Sequence, residues 1–473
     1  MTDAQRPERV PARRRDSEGR PRVDNRAILA LALPLIANSG AQLLLNLTDA
    51  WFIGRISTEA LAAVGAVQWL SMVVLVTLAG VGIAVQTVVA QAQGARRQAR
   101  ASQAVWTSLW ALLIAAPLFL AAGLSLRFLL RPFSLPAHLV DLAAAFWLPR
   151  VSGSILGAAV WAMLGFFNGI GRPGVTLLVT LVMALVNALF NELFIFHLHL
   201  GIAGSGLATT AAQACGLAMA MVVFLRRYYR SHYRSHLTWS PRLARIAAQF
   251  RLGLPMGLMW AADLLGFSLF QIMQVRLGAG QGAATQIVMV MTALSYMPGI
   301  GIAMAGTTLV GQAIGAGDRA WARVLGNRII AMTALYMGGM GLVLALSGPL
   351  LLPQFVGAQD AEAAAVVALA ARLLWIAALY QFFDGLNLSG GFCLRGAGDA
   401  TVPATLTLLC SWLVFVPLAY VMTFAPGQGW LDFLPQLGWG ATGGWFAVVI
   451  YTMLVGSVML SRWRSHSWER LRL

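Results

Sequence analysis

The chain has 473 residues, 59% of them hydrophobic and 11% charged, where soluble proteins carry roughly 25% charged residues. Its net charge of +16 comes from 33 basic groups, every one an arginine, against 17 acids. Apolar runs that repeatedly reach the ~20 residues of a bilayer crossing exclude a soluble enzyme and point to an all-α polytopic membrane protein.

Residues 1–26 carry eight arginines with Pro7, Pro11 and Pro21 and no apolar stretch. This composition predicts a disordered tail without a cleavable signal. Apolar segments then follow at 27–54, 59–92, 101–130, 137–168, 173–198, 201–229, 244–276, 282–315, 321–352, 362–394, 400–424 and 438–462, which predicts twelve transmembrane helices and no β-type alternation. Six of them fill an N-lobe at 27–229, a loop at 230–243 joins the lobes, six more fill a C-lobe at 244–463, and 464–473 form a second tail. The tail, the even-numbered loops and the C-terminus hold 27 arginines, whereas the opposite face holds four, Arg55, Arg127, Arg131 and Arg276. That asymmetry predicts a protein with both termini cytoplasmic and the loops at 357–362 and 427–436 outside, and the location expected for it is the inner (cytoplasmic) membrane. Because the arginines sit between apolar runs, the charge reports orientation and no nucleic-acid partner is expected. Cys215, Cys393 and Cys410 all lie inside apolar segments without metal-site spacing, and are read as packing residues.

The two halves are copies. A shift of 221 residues superposes Leu33-Pro34 on Leu254-Pro255, Gly80 on Gly301, and Val89-Ala-Gln-Ala-Gln-Gly-Ala95 on Val310-Gly-Gln-Ala-Ile-Gly-Ala316; after a small insertion, Asn168-Gly-Ile-Gly171 matches Arg395-Gly-Ala-Gly398. Each copy crosses six times, so the two share one topology and a pseudo-two-fold axis along the membrane normal. Such halves enclose a central cavity, the architecture of a transporter.

Ionisable groups inside a membrane need a partner or a function. Only Asp49, Glu192, Asp263 and Asp384 fall within apolar helices away from their ends, and none is the repeat mate of another. Each admits a plain reading: interhelical bonding for Asp263 and Asp384, an interfacial position for Asp49, and for Glu192 a snorkelling side chain or a pairing with Arg150. Asn187 and Asn191 share a helix face at i,i+4. Pro34 and Pro255 either open their helices or only bend them.

Together, Leu33-Pro34 through Asp49, Gly54 and Leu61-Ala-Ala63, Gly253-Leu-Pro255 with an acid eight residues on, Val310-Gly-Gln-Ala-Ile-Gly-Ala-Gly317, and Tyr380-Gln-Phe-Phe-Asp-Gly385 with Leu394-Arg-Gly-Ala-Gly-Asp399 resemble the multidrug and toxic compound extrusion (MATE) transporters, the C-terminal half being most similar to the NorM-like branch. The resemblance spans everything after the tail. It implies two pseudo-symmetric six-helix bundles that export organic cations or amphiphiles in exchange for H⁺ or Na⁺, as a monomer among membrane lipids and without a cofactor. By similarity, Asp263, Tyr380 and Asp384 form a C-lobe cation site that would hold Na⁺ or a proton. Asp49, Asn187, Asn191 and Thr209 map onto an N-lobe polar site, with Pro34 as hinge. Two positions depart from the family pattern. The acid of the seventh helix is usually Glu rather than Asp263, and some members have a second N-lobe carboxylate where this chain has Asn191.

No GxxxxGK[ST] run exists to hold nucleotide phosphates, so ATP drive is excluded on this chain. Rivals to the antiporter are a lipid-linked precursor flippase, which would favour a cationic cavity, a polytopic lipid-modifying enzyme, which would need paired acids at a membrane surface, and an ion channel, disfavoured because the halves carry unlike acids.

Overall fold

The computed structural model describes residues 10–130, 137–355, 363–430 and 435–470. The expected loop at 357–362 lies outside them, as does part of the loop at 427–436. One half of the molecule contains α1 (Asn25–Gly54), α2 (Thr58–Gly94), α3 (Gln98–Leu124), α4 in two pieces (Ala137–Ser152 and Ser154–Gly169), α5 (Pro173–Glu192) and α6 (Gly201–Phe224). The other contains α7 (Leu243–Arg276), α8 (Ala279–Gly315), α9 (Arg319–Leu351), α10 (Ala363–Ala397), α11 (Thr401–Thr423) and α12 (Gly440–Arg464). Eleven of them are each long and apolar enough to span a bilayer, and α2 makes a twelfth span when its two bent pieces are taken together. The α2 span bends by 42° between Leu70–Thr77 and Ala79–Gly94. There the Thr77 hydroxyl donates to the Val73 carbonyl at 2.7 Å, a back-bond that bends helices.

The even-numbered helices end on the face that carries both chain termini, and several ends are closed by left-handed residues. Gly171 (φ +80°) and Gly398 (φ +89°) terminate α4 and α10 at matching repeat positions, each passing the chain into a backbone bond back to the last turn, Arg172 N–H to Phe167 O and Asp399 N–H to Leu394 O. At the end of α8 the left-handed residue is Gly317 (φ +87°), and its mate after α2 is Arg96 (φ +56°).

The repeat relation predicted from sequence governs how the halves meet. A methyl group at Gly94 of α2 would overlap the Gln312 carbonyl of α8, and one at Gly315 of α8 would overlap the Gln91 carbonyl of α2; these two contacts are exchanged by the 221-residue shift. The same glutamines then cross the seam: Gln91 Nε2 donates to Gly396 O at 3.0 Å and Gln312 Nε2 donates to Gly169 O at 2.8 Å. Further from the end, Gly80 meets the α7 backbone at Gly253 and Gly257, while its mate Gly301 lies 2.6 Å, counted from an added Cβ, from Ile36 N of α1. Gln86 Nε2 to Thr308 Oγ1 at 3.0 Å and Thr308 Oγ1 to Asn168 O at 3.0 Å complete the seam. The Gly94 and Gly315 approaches and the two glutamine bonds lie at the face bearing the termini and seal the molecule there, while the Gly80 and Gly301 contacts continue the seam toward mid-span.

Two helices change partner along their length. Ile28, Leu31, Ala32 and Leu35 of α1 pack in the core of the other half, with Ile302, Ala305 and Leu309, whereas Leu45 packs with Val85 and Val89 of its own half. In α7, Ile246 packs with Leu75 and Ala79, and Phe270 and Met273 return to their own half. Pro34 sits where α1 begins to cross over. The inter-lobe segment leans on the N-lobe: a short helix, Arg227–Tyr233, buries Tyr229 and Tyr233 against Phe166, Phe167 and Phe224, and Trp106 Nε1 donates to Ser235 O at 2.7 Å.

The expectation of a disordered tail over 1–26 is corrected for its described part. Residues Arg13–Arg15 (β1) and Pro21–Val23 (β2) form an antiparallel hairpin, turned by Gly19 (φ +76°) and by Asp16, whose carboxylate accepts from the Glu18 and Arg20 amides. The hairpin docks on the start of α9: Trp321 Nε1 donates to Pro11 O at 3.0 Å, and Arg13 lies 3.3 Å from the Asp318 carboxylate. Asp24 then caps α1. Three-residue strands are too short to show alternation, and their partner lies some 300 residues away in sequence, so composition averaged over the segment misses them.

The seam predicts that Gly315→Val cannot be accommodated in the sealed arrangement, at a cost of about 1–3 kcal/mol for forced overpacking. Spin labels at residues 96 and 319 should then report longer distances than in the parent protein. Gly174→Ala, where an added Cβ meets nothing within 4 Å, should leave the distances alone; equal distance distributions for Gly315→Val and the parent would refute a tight seam.

Candidate functional site

In the N-lobe, the three helices α1, α5 and α6 bring one carboxylate to three polar side chains. Asp49 Oδ1 accepts from Asn191 Nδ2 at 2.8 Å and Oδ2 accepts from Thr209 Oγ1 at 3.2 Å. Asn191 also donates to Asn187 O and Oδ1 at 3.0 and 3.1 Å, and Asn187 Nδ2 donates to Thr209 at 3.4 Å. Asn187, Asn191 and Thr209 are buried, while Asp49 keeps partial access. All four N-lobe residues singled out from sequence thus meet in one hydrogen-bonded cluster. Beyond Asn191, α5 ends in a π turn, Leu193–His197. Such turns re-aim side chains near functional sites.

The sequence left open whether Arg150 pairs with Glu192. It does not: Glu192 is exposed, and Arg150 of α4 is buried within electrostatic range of Asp49. Its Nη1 has no hydrogen-bond partner among the described residues. Arg150 directly follows Pro149 and precedes the break of α4 at Gly153, a placement that turns it inward but leaves no mark in hydrophobic periodicity.

In the C-lobe, Asp263 of α7 and Asp384 of α10 are both partly accessible, and the charge of Asp384 reaches Asp263 as a small contribution beside burial. Two like charges in a poorly hydrated site repel. Asp384 accepts from Asn387 Nδ2 at 3.5 Å. Tyr380, one turn before Asp384, lies within electrostatic range of it and rests against Trp445, with ring centroids 5.9 Å apart. The direct partner of Asp263, missed from sequence, is Tyr451 of α12, whose phenol donates to Asp263 Oδ1 at 2.7 Å. The Tyr451 ring stacks on Phe415 at 4.9 Å, and Phe415 belongs to a π turn, Ser411–Phe415, in α11. Tyr296 of α8 feels Asp263, Asp384 and Tyr380 together. One sequence signal pointed this way: five of the eight tyrosines, Tyr296, Tyr336, Tyr380, Tyr420 and Tyr451, lie in the C-lobe, and the other three cluster at 228–233 ahead of it.

The chemistry available is therefore unequal. The N-lobe holds one carboxylate, already hydrogen-bonded twice and electrostatically offset by a buried guanidinium. The C-lobe holds two carboxylates and several phenolic oxygens, a donor set that suits a proton, an alkali cation or an organic amine. Among the described residues no group of three or more His, Cys, Asp or Glu side chains gathers for a transition metal.

Burying one charge of a pair is costly when the other is removed. Asp49→Ala should therefore lower stability by about 1–3 kcal/mol, and adding Arg150→Met should recover most of that loss. Thermal unfolding of the two single variants and the double variant in detergent measures the coupling; strictly additive losses would mean that the two groups do not interact.

The MatE family model matches residues 34–193 and 255–421, once in each half. The "Probable multidrug resistance protein NorM" of Pseudomonas aeruginosa is 31% identical, with 94% of this chain and 90% of the relative covered. Its namesake from Pseudomonas putida is 32% identical over 91% of this chain and 92% of the relative. In fold, the chain is similar to a MATE transporter in complex with MaL6, with a TM-score of 0.81, 20% identity and coverage of 94% and 97% of the two chains. It is also similar to an outward-facing multidrug resistance MATE family transporter, with a TM-score of 0.79, 20% identity and coverage of 94% and 96%. With matching copies of one family model in both halves, and relatives above 30% identity along nearly the whole length, the chain belongs to the MatE family of membrane transporters.

Proposed function

We propose that this protein is a secondary antiporter that expels bulky organic cations or amphiphiles, coupled to entry of H⁺ or Na⁺, with Asp263, Asp384 and Tyr380 as its C-lobe coupling site. The observation that carries this reading is a pair of carboxylates on different helices in one partly accessible lobe interior, Asp263 bonded to Tyr451 and Asp384 to Asn387, with the charge of Asp384 reaching Asp263. A proton, Na⁺ or a drug amine each relieves that repulsion. If one such ligand is held at a time, the driving ion displaces the drug, and this competition is the coupling. The names of the NorM relatives support a multidrug substrate range.

The arginine asymmetry supports an inner-membrane protein whose terminal-bearing face is cytoplasmic, which makes the sealed seam the cytoplasmic gate and the captured state one that opens outward. Opening inward requires breaking Gln91–Gly396 and Gln312–Gly169 together. In the N-lobe, a proton on Asp49 leaves Arg150 as the sole charge and weakens the hold on Asn191 and Thr209. That shifts the population of α1 conformations, with Pro34 as the hinge where α1 changes core. The protein works as a monomer in lipid, without a cofactor and without nucleic acid.

Three substitutions test the C-lobe role. Asp384→Asn should abolish ion-coupled ethidium efflux from proteoliposomes, Asp263→Asn should impair it, and Asp263→Glu should be tolerated. Drug affinity should fall as H⁺ or Na⁺ rises and lose that dependence in the double Asn variant; a dependence that persists there moves coupling to Asp49. Imposing ΔpH and ΔNa⁺ separately identifies the ion, since saturable exchange marks an antiporter and simple conductance a channel.

Orientation has its own test. In a background lacking the native cysteines, a cysteine at exposed residue 428 should react with an impermeant maleimide in intact spheroplasts, and one at exposed residue 236 only after lysis. Labelling of 236 from outside overturns the orientation.

A further inference from the structure

The segment that joins the lobes is strapped to one face of α3. Ser102, Trp106 and Trp110 stand at i, i+4 and i+8 on that helix, about 12 Å of rise, and each holds a backbone carbonyl of the segment. Ser102 Oγ donates to Tyr233 O at 2.8 Å, Trp106 Nε1 to Ser235 O at 2.7 Å, and Trp110 Nε1 to Trp239 O at 2.7 Å. The Ser102 hydroxyl also lies 2.8 Å from Thr238 Oγ1. Trp239 is thereby fixed one turn from Leu113 and Ile114, the first large apolar side chains that α3 exposes on its way into the membrane. The strap therefore lies where the hydrocarbon begins. With its backbone pinned, Leu237, Trp239 and Leu243 are left outside, 65%, 55% and 80% exposed.

The charge beside these side chains has one sign. Arg100 stands in the first turn of α3, Arg242 caps the start of α7 and Arg245 follows in its first turn. All three are exposed, and the charges of Arg100 and Arg242 both reach Arg245. Cations at the start of a helix also oppose its dipole, and no acid of the N-lobe relieves them. Between residues 60 and 262 the only acids are Asp141 and Glu192, each near the end of its helix on the face away from the termini. The described C-lobe acids on the terminal face are already taken, Asp318 by Arg13, Glu469 by Arg323 and Asp399 by Arg462. At that face the C-lobe thus answers its guanidinium groups with an acid at three places; among the described residues the N-lobe does so at none.

We propose that this strap, with Arg100, Arg242 and Arg245, is a docking surface for anionic phospholipid: the guanidinium groups take headgroup phosphates while Leu237, Trp239 and Leu243 enter the acyl region. The planar fork of arginine suits phosphate oxygens, and clustered basic residues beside a span select acidic lipids. Tryptophan settles at the boundary between headgroups and hydrocarbon. Apolar side chains pinned at that boundary favour a lipid over a soluble anion, which would leave them in water. The surface lies on the outside of the N-lobe, at the joint between the lobes, and stands independently of the export reading.

A fluorescent nitrobenzoxadiazole label on a cysteine at exposed residue 240, in full-length protein lacking the native cysteines, reports which lipid lies against the strap. The protein is placed in nanodiscs of fixed phosphatidylcholine and phosphatidylglycerol content, with a nitroxide high on the acyl chain of one lipid or the other at equal mole fraction. Quenching should be about threefold stronger when phosphatidylglycerol carries the nitroxide, and this preference should weaken as salt rises. The triple variant Arg100→Gln, Arg242→Gln, Arg245→Gln should quench equally with both lipids, whereas lysine at the same three positions should keep most of the preference, since the charge remains. Equal quenching by the two lipids in the parent protein overturns the surface, a measurement that needs no variant to fold. So does a preference that survives intact in the triple glutamine variant. Quenching by neither lipid places the strap clear of the bilayer and also overturns it. If inorganic phosphate at constant ionic strength abolishes the preference, a free phosphate is the occupant and the lipid assignment falls.

Discussion

Everything in this molecule hangs on the close approach of α2 and α8 at the face that bears the termini. There is no water-driven force to bring apolar helices together inside a bilayer, so backbone proximity and a few interhelical hydrogen bonds must do it. Gly94 and Gly315 remove the side chains that would hold the helices apart, and Gln91 and Gln312 then reach carbonyls at the ends of α10 and α4. Because the interaction is made twice by repeat-related residues, it closes symmetrically and breaks symmetrically. Such a seam favours two discrete arrangements over a continuum, which is what alternating access requires.

Symmetry ends where chemistry begins. The same offset that pairs Gly94 with Gly315 sets Asp49 against Phe270, and Asp263 against Gln42. Phe270 stays in an aromatic cluster with Phe415 and Trp445, whereas Asp49 is wrapped by amides and a hydroxyl beside Arg150. The N-lobe site is thereby electrostatically offset and compact. In the C-lobe, the two acids Asp263 and Asp384 have Tyr451 and Asn387 as their only direct donors among the described hydrogen bonds.

The partner exchange of α1 and α7 links these sites to the seam. The first third of α1 is built into the C-lobe core, and the hairpin ahead of it is pinned to the start of α9 through Trp321 and Asp318. The last third carries Asp49 in the N-lobe. Between Leu35 and Leu45 α1 passes from one lobe's core to the other's, a stretch that begins just after Pro34, whose missing amide already lacks one helical hydrogen bond.

Membrane class, eleven of the twelve spans outright, duplication and the identity of the buried acids were legible in the sequence, because each is written in local quantities: hydrophobic length, arginine placement, a fixed offset and charge where charge is expensive. The gathering of Asp49 with Asn187, Asn191 and Thr209 came only through resemblance to a family, since no spacing within the chain links residue 49 to residue 209. Tertiary structure alone decided that Tyr451, and not Tyr380, donates to Asp263, that Arg150 lies by Asp49 and not by Glu192, and that Arg395 has no ion-paired acid among the described residues. It also decided that an arginine-rich stretch with no apolar run folds as a docked hairpin. All four depend on which faces of distant helices meet. Helical periodicity sets which residues share a face; the crossing of α1 and α7 and the glycine seam set which faces meet.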